Sequence, residues 1–132
     1  MTHSFNIETD AGLTHNVQPL MHEIRHAVQA LLDTGETTVI DLRSLPLAPG
    51  ELEVIEATLG RGEVNAVLEA MGPSEISETV FPGVWLVRHF NADKQVMGVF
   101  VEITRMPSLL LSQNEDIADG LRQLDEKLET MF

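Results

Sequence analysis

The sequence predicts an α+β fold: an antiparallel β-sheet, a meander of about four strands plus one further strand, packed with an N-terminal and a C-terminal helix. Three observations predict it. Apolar residues recur at helical spacing before the middle of the chain and again near its end, but from Gly62 the period is two. The links within that period-two block, MGPS, PG and NADK, are short and rich in turn formers, so its strands meet as hairpins. Finally, 132 residues at 43% hydrophobic and 22% charged suit one soluble domain with its own core.

The elements follow in order. Residues 1–15 lack periodicity and read as a loose arm, leaving 16–132 as a single α+β domain. Asn16 is placed to cap a helix that runs to about Asp33, with Pro19 in its tolerant first turn and Gly35 closing it. TTVIDL (37–42) is β-branched and apolar, the mark of a buried strand. SLPLAPG turns the chain, and Pro49 opens a short acidic helix ending near Gly60. GEVNAVLEAMG, SEISETVF, VWLVRHF and KQVMGVFVEIT are the four meander strands. Ser112 and Glu115 have the spacing of a capping box for a last helix, which Ile117, Leu121, Leu124 and Leu128 line on one face. The chain shows no internal repeat and no low-complexity segment.

Charge narrows the function classes. Eight basic against 21 acidic residues give a net charge of −13, which opposes binding to nucleic acid or anionic lipid and favours a basic protein surface. With no cysteine there is no thiolate nucleophile, no disulfide, and no cysteine to hold zinc or an iron–sulfur cluster. The start, MTHSFNIETD, lacks the apolar core of a secretory signal, and no apolar run is long enough to span a membrane. The expectation is a cytoplasmic protein without a cofactor.

HEIRH, residues 22–26, matches the zinc-hydrolase pattern H-E-x-x-H. Leu20, Ile24, Ala27, Val28 and Leu31 form the apolar stripe of that helix, and His22 and His26 fall opposite it with Gln29 and Asp33. Packing the stripe leaves both imidazoles in water, whereas a catalytic zinc needs a third protein ligand and a shaped cavity. Gln29 and Leu32 stand where an extended motif would place a glycine and a third histidine. Asp41 or Glu51 are conceivable third ligands, though nothing singles one out. A metal-binding protein or metal-dependent hydrolase using His22 and His26 is thus the rival reading; an exposed face carrying two histidines is the simpler one.

LGRGEV (59–64) fails as a phosphate loop. Its glycines follow a helix and open a strand, Asn65 holds the third glycine's place, and no Walker lysine is present. Helix stop at Gly60 and a bend at Gly62 explain it better. The stretch is followed by ETVFPGVWLV (78–87) and then by an apolar strand ending in EITRMP. In that order and spacing the three resemble the HupH/HyaF type of hydrogenase expression/formation protein, over roughly residues 35–120. The motif residues, and candidate partner-binding residues, are Gly60, Gly62, Glu63, Val64, Glu78, Thr79, Gly83, Val84 and Trp85. The family supplies no catalytic residues to carry over.

The resemblance implies a non-enzymatic accessory protein or chaperone in [NiFe] hydrogenase maturation. Its implied partners are the precursor of the small, iron–sulfur-carrying subunit and other hydrogenase accessory proteins. Members are often longer and carry such a domain twice, which implies either a single-domain version here or a homodimer. Small subunits typically carry a basic twin-arginine segment, which a polyanionic domain would attract. A general protein-interaction module outside hydrogenase biology is a further alternative.

Two residue-level expectations complete the reading. Phe81-Pro82-Gly83 is a tight turn, after which Trp85, Val87 and His89 alternate with Val84, Leu86 and Phe90 on opposite strand faces. Trp85 is therefore either an interface anchor or a core residue whose N–H is satisfied locally. Glu63 and Glu78 could be paired as an acid/base couple, but strand-surface or turn-holding roles need no substrate cleft.

Overall fold

A computed structural model describes residues 15–132; the expected loose arm lies, except for His15, outside the described residues. The described elements are α1 (Val17–Thr34), β1 (Thr38–Asp41), α2 (Glu51–Leu59), β2 (Asn65–Leu68), β3 (Ser74–Glu78), β4 (Val84–Phe90), β5 (Val96–Ile103) and α3 (Asn114–Met131). Short 3-10 turns at Leu42–Ser44 and Ser108–Leu110 complete the set. The strands form one five-stranded sheet in the order β1-β5-β4-β3-β2, every pairing antiparallel. This is the expected meander, β2 to β5, with β1 added beside β5. The α+β class holds.

The alternation of β4 decides the layers. Val84 and Leu86 face the helices with Val99, Val101, Ile103 and Ile40, and this face packs on Val17, Leu20, Ile24, Ala27 and Leu31 of α1 and on Ile55 and Leu59 of α2. Arg88, on the same face, pairs with Glu56 of α2. Trp85 and Val87 face the other way, where they join Ile76 and are flanked by Ala66, Phe100 and Leu110. The segment after β5 thus supplies cover to the second face, a role that Leu110 fills from its 3-10 turn.

Three local expectations are corrected. Asn16 sits at the N-cap position of α1 but makes no side-chain capping bond. Its Nδ2 instead donates to Glu51 Oε1 at 2.8 Å and its backbone N–H to Glu51 Oε2 at 2.9 Å. The short helix begins at Glu51 rather than at Pro49, because Gly50 takes a left-handed φ of 91° that a helix cannot include; Glu51, fully buried, also accepts the Ala48 N–H at 2.6 Å. The Ser112–Glu115 capping box does not form. The first intrahelical bond of α3 closes from Ile117 N–H to Gln113 O, which makes Gln113 the N-cap and places Ser112 outside.

The C-terminal helix forms where expected, yet none of its residues is buried. Its apolar stripe stays in water, with Ile117, Leu121, Leu124 and Leu128 each 57–60% exposed. No helix among the described residues is long and apolar enough to cross a membrane.

Candidate functional site

The three sequence stretches that stood out meet at one end of the sheet. α2 stops at Leu59, whose carbonyl accepts the Val80 N–H at 2.9 Å, while Gly60 N–H closes the helix on Glu56 O. Gly62 N–H then donates to Glu78 O at 2.6 Å, and Glu78 N–H to Val64 O at 2.8 Å. LGRGEV is thereby clipped along ETV like an extra piece of strand. A Cβ at Gly62 would run into the Thr79 carbonyl, a backbone atom that cannot step aside, so this approach requires glycine.

Thr79, 2% exposed, organises the turn that follows. Its Oγ1 donates to Val84 O at 2.8 Å, lies 3.2 Å from Phe81 O, and accepts the Phe81 N–H at 3.1 Å. Its own N–H reaches Val84 O at 3.0 Å, and Val84 N–H reaches Phe81 O at 3.0 Å. Gly83 takes a φ of 90° inside this loop, a conformation that L side chains resist. The third stretch joins through Gly83 O, which accepts the Thr104 N–H at 2.9 Å, and through Thr104 O, which accepts the Trp85 Nε1–H at 3.1 Å. Trp85 is 4% exposed, and its polar atom is satisfied within the fold.

An open cleft of about 340 Å³ lies beside this network. Val28, Leu31 and Leu32 of α1 form one wall; Glu78, Pro82, Gly83, Trp85 and Arg105 form the rest. A second cleft of about 230 Å³, lined by Met21, Ile24, Arg25, Val28, Phe81 and Val84, shares Val28 with the first. Their apolar rim is exposed: Leu32 of the first cleft at 71% and Phe81 of the second at 43%. Of the sequence-selected residues, Glu78, Gly83 and Trp85 line the first cleft and Val84 the second. Gly60, Gly62 and Thr79 hold the backbone behind them, whereas Glu63 and Val64 are exposed on the clipped segment. Leu32, Phe81 and Arg105 were not singled out from the sequence. Leu32 was visible there as a large apolar residue off the centre of the α1 stripe, a signal with no partner to give it meaning.

The histidine pair lies elsewhere. His22 and His26 are exposed on α1, on the same face as Gln29, whose Nε2 donates to Asp33 Oδ1 at 3.0 Å. The conceivable third ligands are engaged: Asp41 Oδ1 accepts the Arg43 N–H at 3.0 Å, and both oxygens of Glu51 are bonded to Asn16. Among the described residues no three His, Asp or Glu side chains gather as a metal site would require.

Among the described residues two carboxyls are perturbed. That of Glu51 is held below the usual range, first by the Asn16 side-chain N–H, then by the backbone N–H groups of Asn16 and Ala48. That of Glu102, the register partner of Trp85 on the adjacent strand β5, is raised by burial, an effect that the charge of His89 reduces. Neither lines the two clefts.

Residues 14–131 match the sequence profile of the HupH hydrogenase expression protein, C-terminal conserved region. The chain belongs to this family. The match takes in α1 with its histidines, beyond the span over which the three stretches carry the resemblance. Among HupH-family relatives, the hydrogenase expression/formation protein HoxQ of Azotobacter vinelandii is 30% identical over 86% of this chain and 42% of its own length. The hydrogenase expression/formation protein HupH of Rhodobacter capsulatus is 31% identical over 74% of this chain and 35% of its own. The chain therefore spans about two fifths of the curated relatives it matches. A solved structure of hydrogenase expression protein HupH from Thiobacillus denitrificans superposes with a TM-score of 0.83 at 42% identity, over 87% of this chain and 96% of that one.

Proposed function

We propose that this HupH-family chain is a non-enzymatic accessory protein of [NiFe] hydrogenase maturation, a chaperone that holds the precursor of the small, iron–sulfur-carrying subunit. The observation that carries this reading is the kinship itself: the relatives named above are hydrogenase expression or expression/formation proteins. The site is consistent with a holding role. The Thr79 hydroxyl and the Trp85 N–H are engaged in backbone hydrogen bonds inside the fold, and what the site presents outward is an apolar rim with one acid, Glu78, and two bases, Arg25 and Arg105. Such a surface suits an apolar or extended segment of a protein client better than a small substrate. A cysteine-free client-binding face would also not compete for the metals of the client's clusters.

The test is co-purification of the tagged chain with the small-subunit precursor from hydrogenase-expressing cells, identified by mass spectrometry. Capture should survive alanine at both His22 and His26 and should fall at least tenfold in a Leu32→Asp/Phe81→Asp variant. Retention of no hydrogenase polypeptide, or loss of capture with loss of bound metal in the histidine variant, would overturn the proposal.

A further inference from the structure

The helix α3 is an anomaly in this fold. It runs for 18 residues without burying one, and it carries Gly120 near its middle, where a Cβ would meet nothing within 4 Å. A helix of this length gains little from propensity alone, and an interior glycine costs it about 1 kcal/mol more. Something outside the described protomer is needed to hold it.

Its sequence says what kind of surface that is. Ile117, Leu121, Leu124, Leu128 and Met131 are spaced four, three, four and three residues apart. That is the narrow seam of a coiled coil; α1 repeats the spacing, but Met21 and Val28, packed beside its buried residues, widen it into the stripe that covers the sheet. All five are 57–67% exposed. The fitting surface is therefore another helix with the same period, and among the described residues α1 and α2 already commit their apolar faces to the sheet.

We infer that α3 pairs with the α3 of a second copy of this chain. Charge permits it. The positions flanking the seam carry Ala118 and Asp125 on one side and Gly120 and Lys127 on the other, so an acid and a base balance there. Glu115, Asp119, Glu126 and Glu129 lie on the far side of the helix, where a partner's acids do not approach them. A parallel pair in heptad register sets Gly120 against Asp125 and Lys127 against Phe132, and an antiparallel pair that layers Leu121 on Leu124 sets Ala118 against Asp125 and Gly120 against Lys127, so in neither do like charges meet across the seam. Gly120, unexplained by the protomer, allows the second backbone to come close. The area suffices: five such side chains offer on the order of 500 Å² per protomer, about 1,000 Å² for the pair, the lower edge of specific interfaces. The inference is independent of the client proposed above, since the apolar rim and α3 share no residue.

Sedimentation equilibrium over a concentration series tests it. The wild-type protein should approach twice its 14.6 kDa protomer mass, with helical circular dichroism falling on dilution as α3 loses its partner. Leu121→Glu/Leu124→Glu should sediment as the protomer. Those side chains touch no core, so Trp85 fluorescence and the unfolding midpoint of the domain should be retained. Met71→Glu, at a 95% exposed apolar side chain outside α3, should leave the dimer intact. A wild-type protomer mass up to the solubility limit, or a dimer that survives the double substitution, would overturn the inference.

Discussion

At position 79 one hydroxyl serves three backbone groups of the turn that joins β3 to β4, and it is buried while doing so. Thr79→Val keeps the shape and deletes that oxygen, leaving the Phe81 N–H without its acceptor. The expected cost is about 1–2 kcal/mol, read as a lower urea midpoint with the single tryptophan as probe. Glu51 offers the complementary case of a buried acceptor held by three N–H groups. Because its folded carboxyl is held below the ordinary value, the unfolded chain takes up the proton at higher pH than the folded one. Its stabilising contribution is thus fully present above the ordinary glutamate range and disappears as pH falls through the folded value. Glu102 has the opposite sign: its raised carboxyl disfavours the folded state near neutrality and is relieved as pH falls. In thermal melts against pH, Glu51→Gln should melt lower near neutrality and show a shallower acid limb than the wild type. The amide that replaces the carboxylate would turn an N–H toward a donor at one of the two oxygen positions. Gly60 was legible as a helix stop, a local effect, whereas glycine at 62 is required by the Thr79 carbonyl of a remote segment. Asn16 was not legible either, because the group that captures it stands 35 positions away.

The helix α1 shows how one element divides between core and water. Ile24 is 4% exposed in the main core, while His22 and His26, two residues to either side, are exposed. Ile24→Ala should cost about 2–4 kcal/mol. His22→Ala/His26→Ala should stay within about 0.5 kcal/mol of the wild type, and chemical denaturation of both variants checks the contrast. A larger loss in the histidine variant, reversed by added zinc, would revive the metal reading. The periodicity of α1 was enough to place both sets of side chains, because a helix with a clean apolar stripe has one way to bury it. For α3 the same reasoning correctly located the helix and its stripe but not its environment. Amphipathicity specifies that a face needs cover; it does not specify which molecule supplies it.

Across the whole molecule the excess of 13 negative charges sets the long-range field. If the client presents a basic twin-arginine segment, binding of the precursor should weaken about tenfold or more between roughly 0.05 and 0.5 M salt, as counter-ions screen the attraction. Deleting that segment should remove most of the salt dependence, as titration calorimetry or a competition assay can measure. Salt-independent affinity would instead assign recognition to the apolar rim of Leu32 and Phe81 and leave the acidity as a solubility device.

The kinds of element, their order, the meander and the apolar faces of α1 and β4 were all determined by the sequence, through short links rich in turn formers and periods that repeat within one element. Contacts between distant positions had to be seen in three dimensions: Glu51 drawing in Asn16, LGRGEV clipped onto ETV, Thr104 receiving the Trp85 N–H, and α1 meeting the 81–83 turn to make a cleft. The division is physical. Local conformation is chosen by each residue and its near neighbours, whereas a buried polar partner or a cleft exists only once the loop closures between remote segments have been made.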